Sequence, residues 1–142
     1  MSENVVLTSE AEMDAFAQRY AAEAVPGMVI TLSGDLGMGK STFARAFIRA
    51  LCGAETDVPS PTFTLVQRYD GPDFPVFHCD LYRLERAEDI LELGLEEGFD
   101  AGVTLVEWPE IASEFLPNTR IELSISHGEG ERGRVVEVVN RR

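Results

Sequence analysis

The sequence predicts a three-layer α/β domain with a mixed sheet and antiparallel strands at its C-terminus, and three observations carry that expectation. The apolar run Met28-Val29-Ile30-Thr31-Leu32 leads straight into a glycine-rich turn, and a helical apolar stripe follows it. Apolar runs at 75–79 and 102–106 each end at a carboxylate, Asp80 and Glu107, with an acidic stretch of helical character between them. Two alternating segments, 120–125 and 134–139, are joined through Gly128-Glu129-Gly130, the pattern of a hairpin. Strands interleaved with helices imply a sheet covered on both faces, to which the hairpin adds antiparallel strands.

Each element has a local reason. After the short apolar segment Val5-Val6-Leu7, the cap-type residues Thr8-Ser9-Glu10 precede Met13, Phe16, Ala17 and Tyr20 at helical spacing, so a helix is expected over 9–23, ended by Pro26-Gly27. A second helix over 40–51 carries the stripe Phe43, Ala44, Phe47, Ile48 and Leu51, with Gly53 as its stop. The stiff turn Pro59-Ser60-Pro61 opens a strand over 62–69, and Asp70-Gly71-Pro72 turns the chain into the strand at 75–79. A short acidic helix is expected over 87–93.

Composition bounds the function. The 142 residues fit one domain, and 44% hydrophobic with 26% charged residues is the balance of an ordinary soluble protein. Twelve basic against 25 acidic residues leave a net charge of −13, which repels polyphosphate backbones, so no direct tRNA or other nucleic-acid binding is expected. No apolar run is long enough to cross a bilayer, and the first residues lack the basic and apolar regions of a signal peptide; a cytoplasmic location and no membrane contact are expected. Cys52 and Cys79 lack metal-ligand or disulfide spacing and read as buried thiols.

The strongest chemical signal is Gly34-Asp35-Leu36-Gly37-Met38-Gly39-Lys40-Ser41, a full match to the phosphate-binding loop, lying between a predicted strand and a predicted helix. Its glycines let backbone N–H groups curl around an anion, and the helix N-terminus adds partial positive charge. Leu36, Gly37, Met38, Gly39, Lys40, Ser41 and Thr42 are therefore the candidate nucleotide-binding segment, with Lys40 reaching phosphate and Ser41 offering its hydroxyl to Mg²⁺. Lys40 is the only lysine in the chain, and a compact ammonium suits phosphates here better than a planar guanidinium fork. The fold expected is thus P-loop NTPase-like, with ATP and Mg²⁺ as ligands.

Asp80 and Glu107 qualify as the acids that hold Mg²⁺ or the attacking water, because each follows a buried strand at its carboxyl end. Thr62, after Ser60-Pro61, is a candidate switch hydroxyl, although a strand-opening threonine reads the same way. Trp108 suits core packing or stacking equally. His78 and His127 read as structural or solvated, and the acidic group Glu85, Glu88, Asp89, Glu92, Glu96, Glu97 and Asp100 as a solvated helical face, with a docking surface for a basic partner as the sharper alternative.

Four segments in register, the phosphate loop, Ser60-Pro61-Thr62-Phe63-Thr64-Leu65-Val66, His78-Cys79-Asp80-Leu81-Tyr82-Arg83-Leu84 and Val106-Glu107-Trp108-Pro109-Glu110, resemble the bacterial TsaE (YjeE) family over most of the chain. The resemblance implies an ATPase subunit of the machinery that makes threonylcarbamoyladenosine in tRNA, slow alone and acting with the TsaB and TsaD proteins. It also implies that Lys40 and Ser41 bind phosphate and Mg²⁺, that Thr62 belongs to a switch-like loop, and that Asp80 and Glu107 serve the metal and the water, without assigning which does which. By the same resemblance Trp108 couples nucleotide to a partner, Arg134 or its neighbour Arg132 contacts the nucleotide, and the segment around Thr8 lies near the base. Ser41, where the family often has threonine, and Cys79, where it often has phenylalanine or another apolar residue, remove no needed group.

Two other readings fit a phosphate loop: a small-molecule kinase and a regulatory nucleotide-binding module. The short chain offers no evident lid or acceptor pocket for the first. A GTPase would need an Asn-Lys-x-Asp segment, for which Lys40 is the only lysine available.

Overall fold

The computed structural model describes residues 2–61 and 64–141. Their strands are β1 (Ser2–Leu7), β2 (Val29–Ser33), β3 (Val66–Asp70), β4 (Pro75–Asp80), β5 (Val103–Glu107), β6 (Arg120–His127) and β7 (Arg134–Arg141). They form one sheet in the order β1-β7-β6-β2-β5-β4-β3. The centre, β6-β2-β5-β4, is parallel, and β3, β7 and β1 pair antiparallel. The mixed α/β class read from the sequence is the one observed.

Burial explains the arrangement. Val29 to Leu32 in β2 and every residue of β5 are buried, as expected where a parallel strand is covered on both faces. One face carries α1 (Glu10–Ala22) and α2 (Lys40–Cys52), whose Met13, Phe16, Phe43 and Phe47 pack with Ile30, Leu32, Val76, Leu105 and Leu123. On the other face Phe77, Cys79 and Val106 pack under Leu81, Ile90, Leu95 and Leu116, from the 3₁₀ turns Ala87–Glu92 and Ser113–Phe115, the short helix α3 (Glu96–Ala101) and their connections. Neighbours such as Val76 and Phe77 fall in different cores because strand side chains alternate.

Helix α1 begins where the cap residues place it: the Ser9 hydroxyl accepts from the Glu12 N–H at 3.1 Å. The sequence reading is corrected at three places. β3 starts at Val66, not at 62, because Leu65 takes a left-handed φ of 67° that ends extended backbone there. The helix expected over 87–93 is 3₁₀. Cys79 is buried as expected, whereas Cys52 is only half-buried. The acidic group is solvated as expected, and within it Glu97 of α3 forms a surface ion pair with Arg68 at 2.7 Å.

Candidate functional site

The carboxyl ends of β2, β5 and β4 meet at a cavity of about 490 Å³. Leaving β2, the chain passes through Gly34 (φ 145°), Gly37 (φ 81°) and Gly39 (φ 110°), angles that disfavour any side chain. At Gly34 the lack of a side chain is needed for packing too, since a Cβ would stand 2.5 Å from the Ile125 carbonyl oxygen. A Cβ on Gly37 would meet nothing within 4 Å. Gly39 occupies the N-cap of α2 with no side-chain cap, so the first N–H groups of that helix lack a side-chain acceptor there.

Lys40 is buried at this helix start. Its ammonium donates to the carbonyl oxygens of Gly34 and, at 2.9 Å, Asp35, and lies 4.3 Å from the centre of the Trp108 ring. Burial pushes its pKa below the ordinary lysine value, against the opposing pull of Glu107, Glu110, Asp80 and Asp35.

The two acids face the loop from neighbouring strands. Asp80 on β4 and Glu107 on β5 are register partners, and both are buried. Asp80 Oδ1 accepts the Tyr82 N–H at 2.9 Å. Glu107 divides its oxygens: Oε1 lies 3.4 Å from Ser41 Oγ and Oε2 lies 2.6 Å from His78 Nε2. Beyond Glu107 the chain turns through Trp108, whose φ of 58° is left-handed and whose N–H donates to the Leu32 carbonyl at 3.2 Å. A bulky residue held in this conformation at a cleft is a local strain that surrounding contacts must enforce. Here they include that bond and the Tyr82 ring, 4.8 Å away centre to centre.

Of the residues singled out from the sequence, Leu36 through Thr42, Asp80, Glu107, Trp108 and Arg134 all line this one cavity. Arg132 lines it as well. Arg134 braces the loop, its guanidinium donating to the carbonyls of Met38 at 3.0 Å and Gly37 at 3.3 Å. Thr8 does not line it: its N–H and hydroxyl bind Glu12, and the following residues Ser9, Glu10 and Met13 reach the cavity instead. Thr62 lies outside the described residues, although Ser60, two residues before it, is in the wall. Sequence reasoning missed His78 as part of the site. The signal available was its place two residues before Asp80 on the same strand face.

The family model described as threonylcarbamoyl adenosine biosynthesis protein TsaE matches residues 7–136, and every residue lining the cavity falls inside that match. The chain belongs to the TsaE family. The tRNA threonylcarbamoyladenosine biosynthesis protein TsaE of Rickettsia bellii is 45% identical over 125 residues, covering 88% of this chain and 87% of the relative. The TsaE of Bacillus subtilis is 44% identical over 123 residues, covering 85% and 76%. Among solved structures, the crystal structure of Bacillus subtilis YdiB superposes with a TM-score of 0.82 at 35% identity, covering all of this TsaE chain and 87% of that one.

Proposed function

We propose that this TsaE-family chain is a Mg²⁺-dependent ATPase that supports the making of threonylcarbamoyladenosine in tRNA, working with TsaB and TsaD proteins. One observation carries the reading: the phosphate loop with Lys40 and Ser41 faces Asp80 and Glu107 across a single cavity whose volume suits a small-molecule ligand. The names of the relatives supply the tRNA modification.

The donor set fits Mg²⁺. Ser41 Oγ and Glu107 Oε1 lie together, and among the described residues no cluster of three or more His, Cys, Asp or Glu forms a closed metal cage. Mg²⁺ keeps several waters and takes one or two carboxylates plus substrate phosphates, so a sparse set of this kind is what it requires. When bound, the ion supplies charge neutralisation at the phosphate oxygens.

The chain's own residues divide the remaining work. The uncapped amides at Gly39 and the Lys40 ammonium hold phosphate, with the ammonium leaving the Gly34 and Asp35 carbonyls to do so. Ser41 and Glu107 hold the metal side. Asp80, fixed by the Tyr82 N–H, orients the attacking water. Trp108, touching both Lys40 and Tyr82, links the phosphate loop to the cleft rim, where Tyr82 is exposed to a partner. The net charge of −13 agrees with leaving the tRNA to other subunits. Titration calorimetry with Mg²⁺ and ATP tests the binding half of this reading: the wild type binds, and Lys40→Ala binds at least about 100-fold more weakly while keeping its fold. Equal affinity in the two proteins contradicts it.

A further inference from the structure

We infer that His78 is a positioning residue for Glu107, a role that rests on the Mg²⁺-nucleotide reading of the cleft. By donating its Nε2–H to Glu107 Oε2, it turns Oε1 alone toward Ser41 and so sets the orientation in which the carboxylate meets the metal side.

His78 sits on β4 opposite Leu105 of β5, so Glu107, two residues further along β5, lies diagonally ahead of it on the same face of the sheet. The ring is 1% exposed and does not line the cavity, so it acts on the site only through Glu107. Its neighbours along that face and strand, Val76 and Cys79, are wholly buried, and an apolar side chain would fill the position without any polar group to satisfy. Among the described residues the ring has one polar contact, the 2.6 Å approach to Glu107, while Nδ1 has none.

That imbalance fixes the tautomer. A carboxylate accepts, so Nε2 carries the hydrogen. Among the described residues Nδ1 meets no partner, so nothing there competes for that hydrogen. Without the donor, Oε2 becomes a buried acceptor with no described side-chain partner, and the carboxylate is free to turn about its terminal bond. An imidazole that orients a metal-side carboxylate from behind acts as outer-shell groups do, whose removal typically costs 10- to 100-fold in metal affinity.

Two measurements test this. Long-range ¹⁵N–¹H correlation spectra of the unmodified protein report the tautomer directly. The expected result is a protonated Nε2, and a bare Nε2 overturns the inference whatever the variants do. The second is calorimetric ATP binding as a function of Mg²⁺, and in EDTA, for the wild type, His78→Leu and His78→Gln. His78→Leu is expected to need about 10-fold more Mg²⁺ to reach half of the metal-dependent gain in affinity. Its affinity in EDTA should match the wild type, and His78→Gln, which keeps an N–H donor of similar reach, should recover most of the loss. An unchanged Mg²⁺ requirement in His78→Leu overturns the positioning role, as does an equal loss with and without the metal. If His78→Leu fails to fold, the tautomer spectra of the unmodified protein still decide. A wild type whose ATP binding ignores Mg²⁺ overturns the proposed function itself, and this inference with it.

Discussion

Asp80 and Glu107 stand side by side as register partners at the ends of β4 and β5, yet their carboxylates are tied differently. Glu107 bridges Ser41 and the His78 ring, and Asp80 accepts a backbone N–H from Tyr82. The difference is the ground for the proposed division of two roles that the sequence left joined. Asp80→Asn is expected to keep Mg²⁺-dependent ATP affinity within a few-fold and to lower turnover about 100-fold or more, the scale of a lost acid–base group. Glu107→Gln is expected to raise the Mg²⁺ requirement itself. Calorimetry beside steady-state turnover distinguishes them, and identical profiles for the two variants would refute the division.

Gly34→Ala should destabilise the protein rather than merely weaken binding. A φ of 145° costs any side chain about 1–3 kcal/mol, and the added Cβ meets the Ile125 carbonyl at 2.5 Å. Gly37→Ala carries a comparable backbone cost without the clash, so it should melt higher than Gly34→Ala. Thermal melts of the pair give the comparison.

The two thiols should differ in reactivity. Burial, with smaller contributions from Asp80 and Glu107, pushes the Cys79 thiol up to about 12, and the residue has no exposed surface. Cys52 is half-buried, and its pKa is raised by burial and by Asp70. At pH 8 a thiol reagent should label Cys52 slowly and leave Cys79 unmodified until the protein unfolds, as mass spectrometry of digests would report.

Glu122 on β6 gives the fold a titratable brace. Burial raises its pKa, but hydrogen bonds from Arg141 and Arg120, each at 2.8 Å, outweigh that and leave it below the ordinary carboxylate value. A carboxylate lowered on folding adds stability that is present above the unfolded value, about 4.3, and is lost as pH falls through the folded one. Glu122→Gln should therefore cost about 1 kcal/mol at pH 7, less at high salt. The gap between the melting temperatures of wild type and variant should close as the pH is lowered toward 3.

Much of this was legible because the chemistry is local. The phosphate loop, with its glycines, lysine and serine, is contiguous in sequence, and the buried strands ending at Asp80 and Glu107 announce themselves as apolar runs stopped by a charge. The alternating C-terminal segments gave the β6–β7 hairpin in its correct place. What escaped depends on contacts between distant segments. β1, with its mostly exposed residues, becomes a strand only by pairing with β7. The left-handed turns at Leu65 and Trp108 have no propensity signal, because surrounding contacts impose them. His78 looked like any core histidine until β4 and β5 were paired, since its partner Glu107 lies 29 residues away.

The measurement that tests the central claim most directly is ATP turnover by the purified protein with Mg²⁺, alone and then with TsaB and TsaD proteins added, with GTP as the control nucleotide. The account predicts slow hydrolysis by the isolated chain, strong stimulation by the two partners and loss of that stimulation in Glu107→Ala. Turnover that the partners leave unchanged, or that survives in Lys40→Ala, would contradict it.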